Sequence, residues 1–129
     1  MDNSRPAHLD LTDAALARYR ATAQRRRVVR SQQQYQRQQQ GQQIAQQAAA
    51  LLKREFGATR VRLFGSLLDS KRVHPASDID LAVDGLPDQH YLTAVARLLD
   101  LSDFSVDLVQ MEHTRPRLKA IIESQGIDL

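Results

Sequence analysis

Three short stretches of the chain alternate apolar and other residues with a period of two: "RVRLFGS" at 60–66, "DIDLAVDG" at 78–85 and "FSVDLVQ" at 104–110. That period predicts half-buried β-strands. Between the second and third, "DQHYLTAVARLLDL" at 88–101 places Leu92, Val95 and Leu99 on one predicted helical face. Beyond the third, Thr114 is the expected N-cap and Pro116 suits a first turn; Leu118, Ile121 and Ile122 form an expected buried stripe that stops before Gly126. A short strand, "IDL", ends the chain. Strands interleaved with helices predict an α+β fold, a mixed sheet covered by helices.

The first half reads differently. From Leu11 to Phe56 there is no proline and one glycine, Gly41, and Ala, Gln, Arg and Leu dominate. One helix over that span would be roughly 70 Å long, so a projection or a break near Gly41 is expected. In "IAQQAAALLKREFG" the residues Ile44, Ala48, Leu51, Leu52 and Phe56 recur at helical spacing, and Gly57 sits where a C-terminal cap belongs. Upstream, "QRRRVVRSQQQYQRQQQGQQ" has almost no apolar stripe, with eleven Gln between Ser31 and Gln47. The expected division is an Arg/Gln-rich helical arm at 1–43 and a folded domain at 44–129, the sheet surviving deletion of residues 1–40.

Composition sets limits. The 129 residues suit one domain with an appendage, and there is no cysteine for a disulfide or thiolate metal site. No apolar run approaches the roughly 20 residues of a membrane span, and "MDNSRPAH" lacks an apolar h-region, so a cytoplasmic soluble protein is expected. Residues 1–60 hold eleven Lys/Arg against four Asp/Glu, a net +7, and residues 61–129 hold seven against eleven, a net −4. For the arm, three readings stay open: a solvated or low-complexity helix, a docking surface for a protein, and a nucleic-acid contact. The cluster Arg25, Arg26, Arg27 and Arg30 has no interleaved aromatics, which counts against direct nucleic-acid binding.

The alternation in "DIDLAV" puts Asp78, Asp80 and Ala82 on one face, with Ile79, Leu81 and Val83 on the core side. Two carboxylates side by side repel unless a cation lies between them, and Mg²⁺ is a hard cation that takes carboxylate, phosphate and water oxygens. Asp107 stands alone among apolar residues, and an adjacent strand in register would bring it beside the pair. Three carboxylates on one face can hold two metals that clamp a phosphoryl displacement. Gly65, lacking a Cβ, lets phosphate approach the backbone, and the Ser66 hydroxyl and amide can bond its oxygens. Taken singly, each feature has a plain structural reading, as a strand terminator, a solvated pair or an edge-strand charge.

Their order and spacing carry more. The run Gly65, Ser66, Asp78, Asp80 and Asp107 resembles the minimal nucleotidyltransferases (MNT) of the DNA polymerase β-like superfamily, over roughly residues 44–129. The resemblance implies a mixed sheet with flanking helices, preceded here by a long N-terminal helix. It also implies catalytic, metal-binding roles for Asp78, Asp80 and Asp107, two Mg²⁺ ions, and nucleotide binding at Gly65 and Ser66. Many minimal members resemble antitoxins of HEPN ribonuclease toxins, which implies AMP transfer from ATP to a toxin tyrosine and an assembly with that toxin. The family pattern continues Gly-Ser with a small residue, Arg and Gly, where this chain has "GSLLDS"; Lys71 and Arg72 in the same loop are candidates for the missing charge. The alternatives are an antitoxin that acts by binding alone and a small-molecule nucleotidyltransferase.

Overall fold

A computed structural model describes residues 12–129; the first eleven residues of the expected arm lie outside them. Two units are distinguished, Met1–Gln33 and Gln34–Leu129. Helix α1 (Asp13–Phe56) contributes to both. In the first unit, the Thr12 hydroxyl caps the helix by accepting from the Ala15 amide at 3.0 Å, and Asp13 in the first turn suits the helix dipole.

In the second unit α1 buries Gly41, Ala45, Ala48, Ala49, Leu51 and Leu52. The chain leaves it at Gly57, whose φ of +71° is the left-handed turn that favours glycine. It then forms β1 (Arg60–Phe64), β2 (Ile79–Asp84), α2 (Tyr91–Leu99), β3 (Val106–Gln110), α3 (Pro116–Gln125) and β4 (Ile127–Asp128). The sheet order is β3-β2-β1-β4. β1 is antiparallel to β2 and β4, while β2 and β3 run parallel, joined by α2 as the crossover that parallel neighbours require. One sheet face packs Val61, Leu63, Ile79, Leu81 and Val83 with α1 and α2. The other packs Phe64, Ala82 and Met111 with Ile122 of α3.

Four local expectations are corrected, in whole or in part. Of the projection or break expected near Gly41, the break does not occur: α1 runs unbroken through it, and its missing side chain makes room for a neighbour, since a Cβ there would stand 2.7 Å from Leu67 Cδ1 and 3.3 Å from Phe104. On α2 Val95 packs against the core as expected, but the fully buried residues are Ala94 and Leu98 and Leu92 is 79% exposed, as Tyr91 turns inward and donates its hydroxyl to the Leu108 carbonyl at 2.6 Å. Thr114 does not cap α3; its hydroxyl donates to the Gln110 carbonyl at 2.7 Å and the N-cap is Arg115. On α3, Ile122 is fully buried while Ile121 is 41% exposed.

Gly41→Ala tests the close approach. Ala is worth roughly 1 kcal/mol over Gly in a helix interior, whereas overpacking a filled core costs about 1–3 kcal/mol. Leu67 is fully buried, so the substitution is expected to lower the urea midpoint; a raised midpoint would show that the notch is slack.

Candidate active site

The alternation expected for β2 holds. Asp80 and Ala82 share the face opposite Ile79, Leu81 and Val83, and the parallel register sets Asp80 directly opposite Asp107. Asp78 lies one residue before β2 and is exposed. Its approach is fixed by a turn in which Ser77, almost fully buried, accepts from the His74 amide through its hydroxyl at 2.9 Å. The Ile79 amide donates to the Ser105 carbonyl at 2.9 Å, tying together the starts of both Asp-bearing strands.

Gly65 and Ser66 open a 3₁₀ turn, Gly65–Leu68, at the end of β1. Gly65 has φ +82°, and a Cβ built on it would overlap the Asp80 carboxylate. The Gly-Ser turn and the Asp-x-Asp strand, with eleven residues between them in sequence, are thus in contact through the one residue that has no side chain. Asp69 accepts from the Lys71 amide at 3.0 Å and caps a second 3₁₀ turn, Ser70–Arg72. Lys71 and Arg72 are exposed there, and among the described residues neither makes an ion pair with the three aspartates.

Electrostatics mark Asp80 as the centre. Burial, then the charges of Asp107 and Asp78, push its carboxyl up to about 6, and among the described residues no cation offsets them. Asp78 and Asp107 are exposed and Asp80 is half-buried. Among the described residues, no three Asp, Glu, His or Cys side chains are gathered closely enough to hold a metal ion. The donor chemistry, all carboxylate oxygen with Asp80 half-buried, suits a hard divalent cation, while the three side chains do not converge on one point. The missing side chain of Gly65 leaves the room that the Asp80 carboxylate occupies.

The sequence reading missed four residues of α1 that touch this region. Gln38 and Gln42 donate to the Leu67 carbonyl, Gln34 to the Val73 carbonyl and Arg37 to the Ser77 carbonyl. The packed part of the helix therefore extends ahead of Ile44. The available signal was the four-residue repeat Gln34, Gln38, Gln42.

Residues 46–129 match the family model described as polymerase beta, nucleotidyltransferase. Among solved structures, one described as a minimal nucleotidyltransferase is 26% identical with a TM-score of 0.60, over 71% of this chain and 95% of the other. A toxin–antitoxin complex with AMP-PNP contains a chain 26% identical with a TM-score of 0.54, over 64% of this chain and 69% of that one. A tri-AMPylated Shewanella oneidensis HEPN toxin in complex with its MNT antitoxin is similar in fold, at 24% identity and a TM-score of 0.53, over 68% and 70%. No curated protein sequence matches the chain.

Proposed function

Since the chain belongs to the polymerase β nucleotidyltransferase family, we propose that it transfers AMP from ATP to a tyrosine hydroxyl of a HEPN-type toxin and acts as the antitoxin of that pair. The observation that carries this reading is the half-buried, uncompensated charge of Asp80, set against the Gly65 backbone and beside Asp107. A structural carboxylate is usually paired, and an unpaired one beside two like charges supports a cation-binding role. The AMP-PNP bound in a similar toxin–antitoxin complex supports the nucleotide class.

In this proposal Asp78, Asp80 and Asp107 are the residues that would hold two Mg²⁺ ions. Bound Mg²⁺ supplies Lewis-acid polarisation of the α-phosphate and neutralises charge on the departing pyrophosphate. Gly65 admits the phosphates to the backbone, and Ser66 donates to their oxygens. Lys71 and Arg72, exposed in the following turn, supply the cationic charge that the family pattern places in this loop. The acceptor oxygen bonds to the α-phosphorus as the bond to the β-phosphate bridging oxygen breaks. Asp107, exposed beside Asp80, takes the hydroxyl proton. The Arg-rich segment of α1 ahead of Gln34 docks on the toxin, and the contact weakens with salt because exposed charges are screened over about 10 Å at 0.1 M.

The test is incubation of the full chain with its HEPN-type partner, Mg²⁺ and ATP labelled in the α-phosphate. Label on a partner tyrosine is expected, and its loss with EDTA. Neutralisation of the toxin with no label transferred would establish the binding-only reading, which the sequence "GSLLDS" favours. Label carried by a small hydroxylated molecule instead would make it a small-molecule transferase.

A further inference from the structure

The turn that carries Ser66 is held from behind by the side-chain amides of α1. Gln38 and Gln42 both donate through Nε2 to the Leu67 carbonyl, at 3.1 and 2.9 Å, filling the two acceptor positions that a carbonyl oxygen has. One turn earlier, Gln34 Nε2 donates to the Val73 carbonyl at 2.9 Å. Arg37, on the same stretch, donates through Nη2 to the Ser77 carbonyl at 3.2 Å, the residue before Asp78. Its guanidinium also stacks 3.8 Å from the ring centre of Phe104, three residues before Asp107. The Leu67 side chain, fully buried, fills the notch at Gly41 on the same helix. A helix with nothing to do but cover the sheet would present apolar groups here. This one presents a row of donors aimed at loop carbonyls, each on a segment that leads to a site residue.

We propose that Gln38 and Gln42 are positioning residues for nucleotide binding: by fixing the Leu67 carbonyl they set the direction in which the preceding residue, Ser66, presents its amide and hydroxyl to the phosphates. The inference rests on the nucleotidyltransferase reading. A carbonyl in a short 3₁₀ turn cannot rotate without turning the neighbouring peptides, because the Asp69 amide already bonds the Ser66 carbonyl at 3.2 Å. Two donors on a rigid helix therefore lock the turn in one orientation before nucleotide arrives, which lowers the ordering cost of binding. The effect belongs to ground-state affinity, since neither glutamine reaches the reacting atoms.

The experiment measures AMP-PNP binding by calorimetry with Mg²⁺, and AMP transfer to the partner, for the full-length wild type, Gln38→Leu, Gln42→Leu and the double variant. About a tenfold weaker AMP-PNP affinity is expected in the double variant, with each single about threefold weaker. KM for ATP should rise in parallel, with kcat changed less than twofold, and amide exchange at residues 66–69 should quicken. A merely structural role would lower the melting temperature and leave the affinity and the KM-to-kcat split unchanged, overturning the proposal. Should the double variant fail to fold, the single variants decide it, since each keeps one donor on Leu67. Wild-type protein that binds no AMP-PNP would overturn the nucleotidyltransferase reading itself, whereas equal binding by wild type and variants overturns only the positioning role.

Discussion

Asp80→Asn is expected to abolish AMP transfer and, in the same molecule, to raise the melting temperature. The activity loss follows from removing the central charge of the proposed cation site; deleting one preorganised charge-stabilising group costs about 10²–10³-fold. The stability gain follows from linkage. Asp80 has its folded-state carboxyl raised from 3.8 to about 6, chiefly by burial and then by Asp107 and Asp78. Between those values the folded protein holds a proton that the unfolded chain has released. Its relative contribution to stability is therefore fully present below about pH 4 and is lost as the pH rises through about 6. At neutral pH the ionised group opposes folding, and Asn removes that opposition. The side chain is about half exposed, so solvent screening leaves on the order of 1–2 kcal/mol, a few degrees of melting temperature. The variant should lose the part of the pH slope between 4 and 6 that Asp80 contributes. Mg²⁺ should stabilise the wild type by mass action and the variant little. Transfer at the wild-type rate would remove Asp80 from the site, and a lowered melting temperature would show that the carboxylate has a partner.

Gly65→Ala should be the most damaging single-methyl change in the loop. Two costs combine at this position. Non-glycine residues at a φ of +82° carry strain of roughly 1–3 kcal/mol, and the new methyl would overlap the Asp80 carboxylate and drive it from its place. Gly57 separates the two, since it has a similar φ of +71° but nothing within 4 Å of a Cβ. Gly57→Ala is therefore expected to lower the urea midpoint by the strain alone and to leave transfer intact. Gly65→Ala is expected to lower it further and to reduce transfer at least about 100-fold, in line with the cost of misplacing reacting groups by an ångström. If the two variants matched in both measurements, the contact between Gly65 and Asp80 would have no part in the chemistry.

What the sequence disclosed follows from what alternation can report. A strand with one face in the core must alternate, so the facing of Asp80, Leu81 and Ala82 was readable, and so was the isolation of Asp107 among apolar neighbours. Register was a further guess that α2, as a short crossover, made good. Hydropathy failed where packing relies on other means. Leu92 and Leu99 look like core residues and Ala94 does not, yet Ala94 is buried because a small side chain lets the helix approach the sheet. Gly41 looked like a helix breaker for the same reason. Gln34, Gln38 and Gln42 read as solvent-facing because a pattern of apolar positions has no symbol for a donor that meets a backbone carbonyl forty residues away or fewer.

β3 lies at the edge of the sheet, with Asp107 exposed upon it. A reaction centre at an edge admits an acceptor as broad as a folded protein surface, which a closed cleft would turn away. Open access is not selective between hydroxyls, and water is present at far higher concentration than any tyrosine. If ATP binds as proposed, the same geometry favours its slow, unproductive hydrolysis while no acceptor is docked. The arriving protein would supply the missing wall of the site, shedding water as it seats its hydroxyl. Fidelity on this reading is a property of the assembled pair, and the isolated chain would be a wasteful enzyme waiting for its other half.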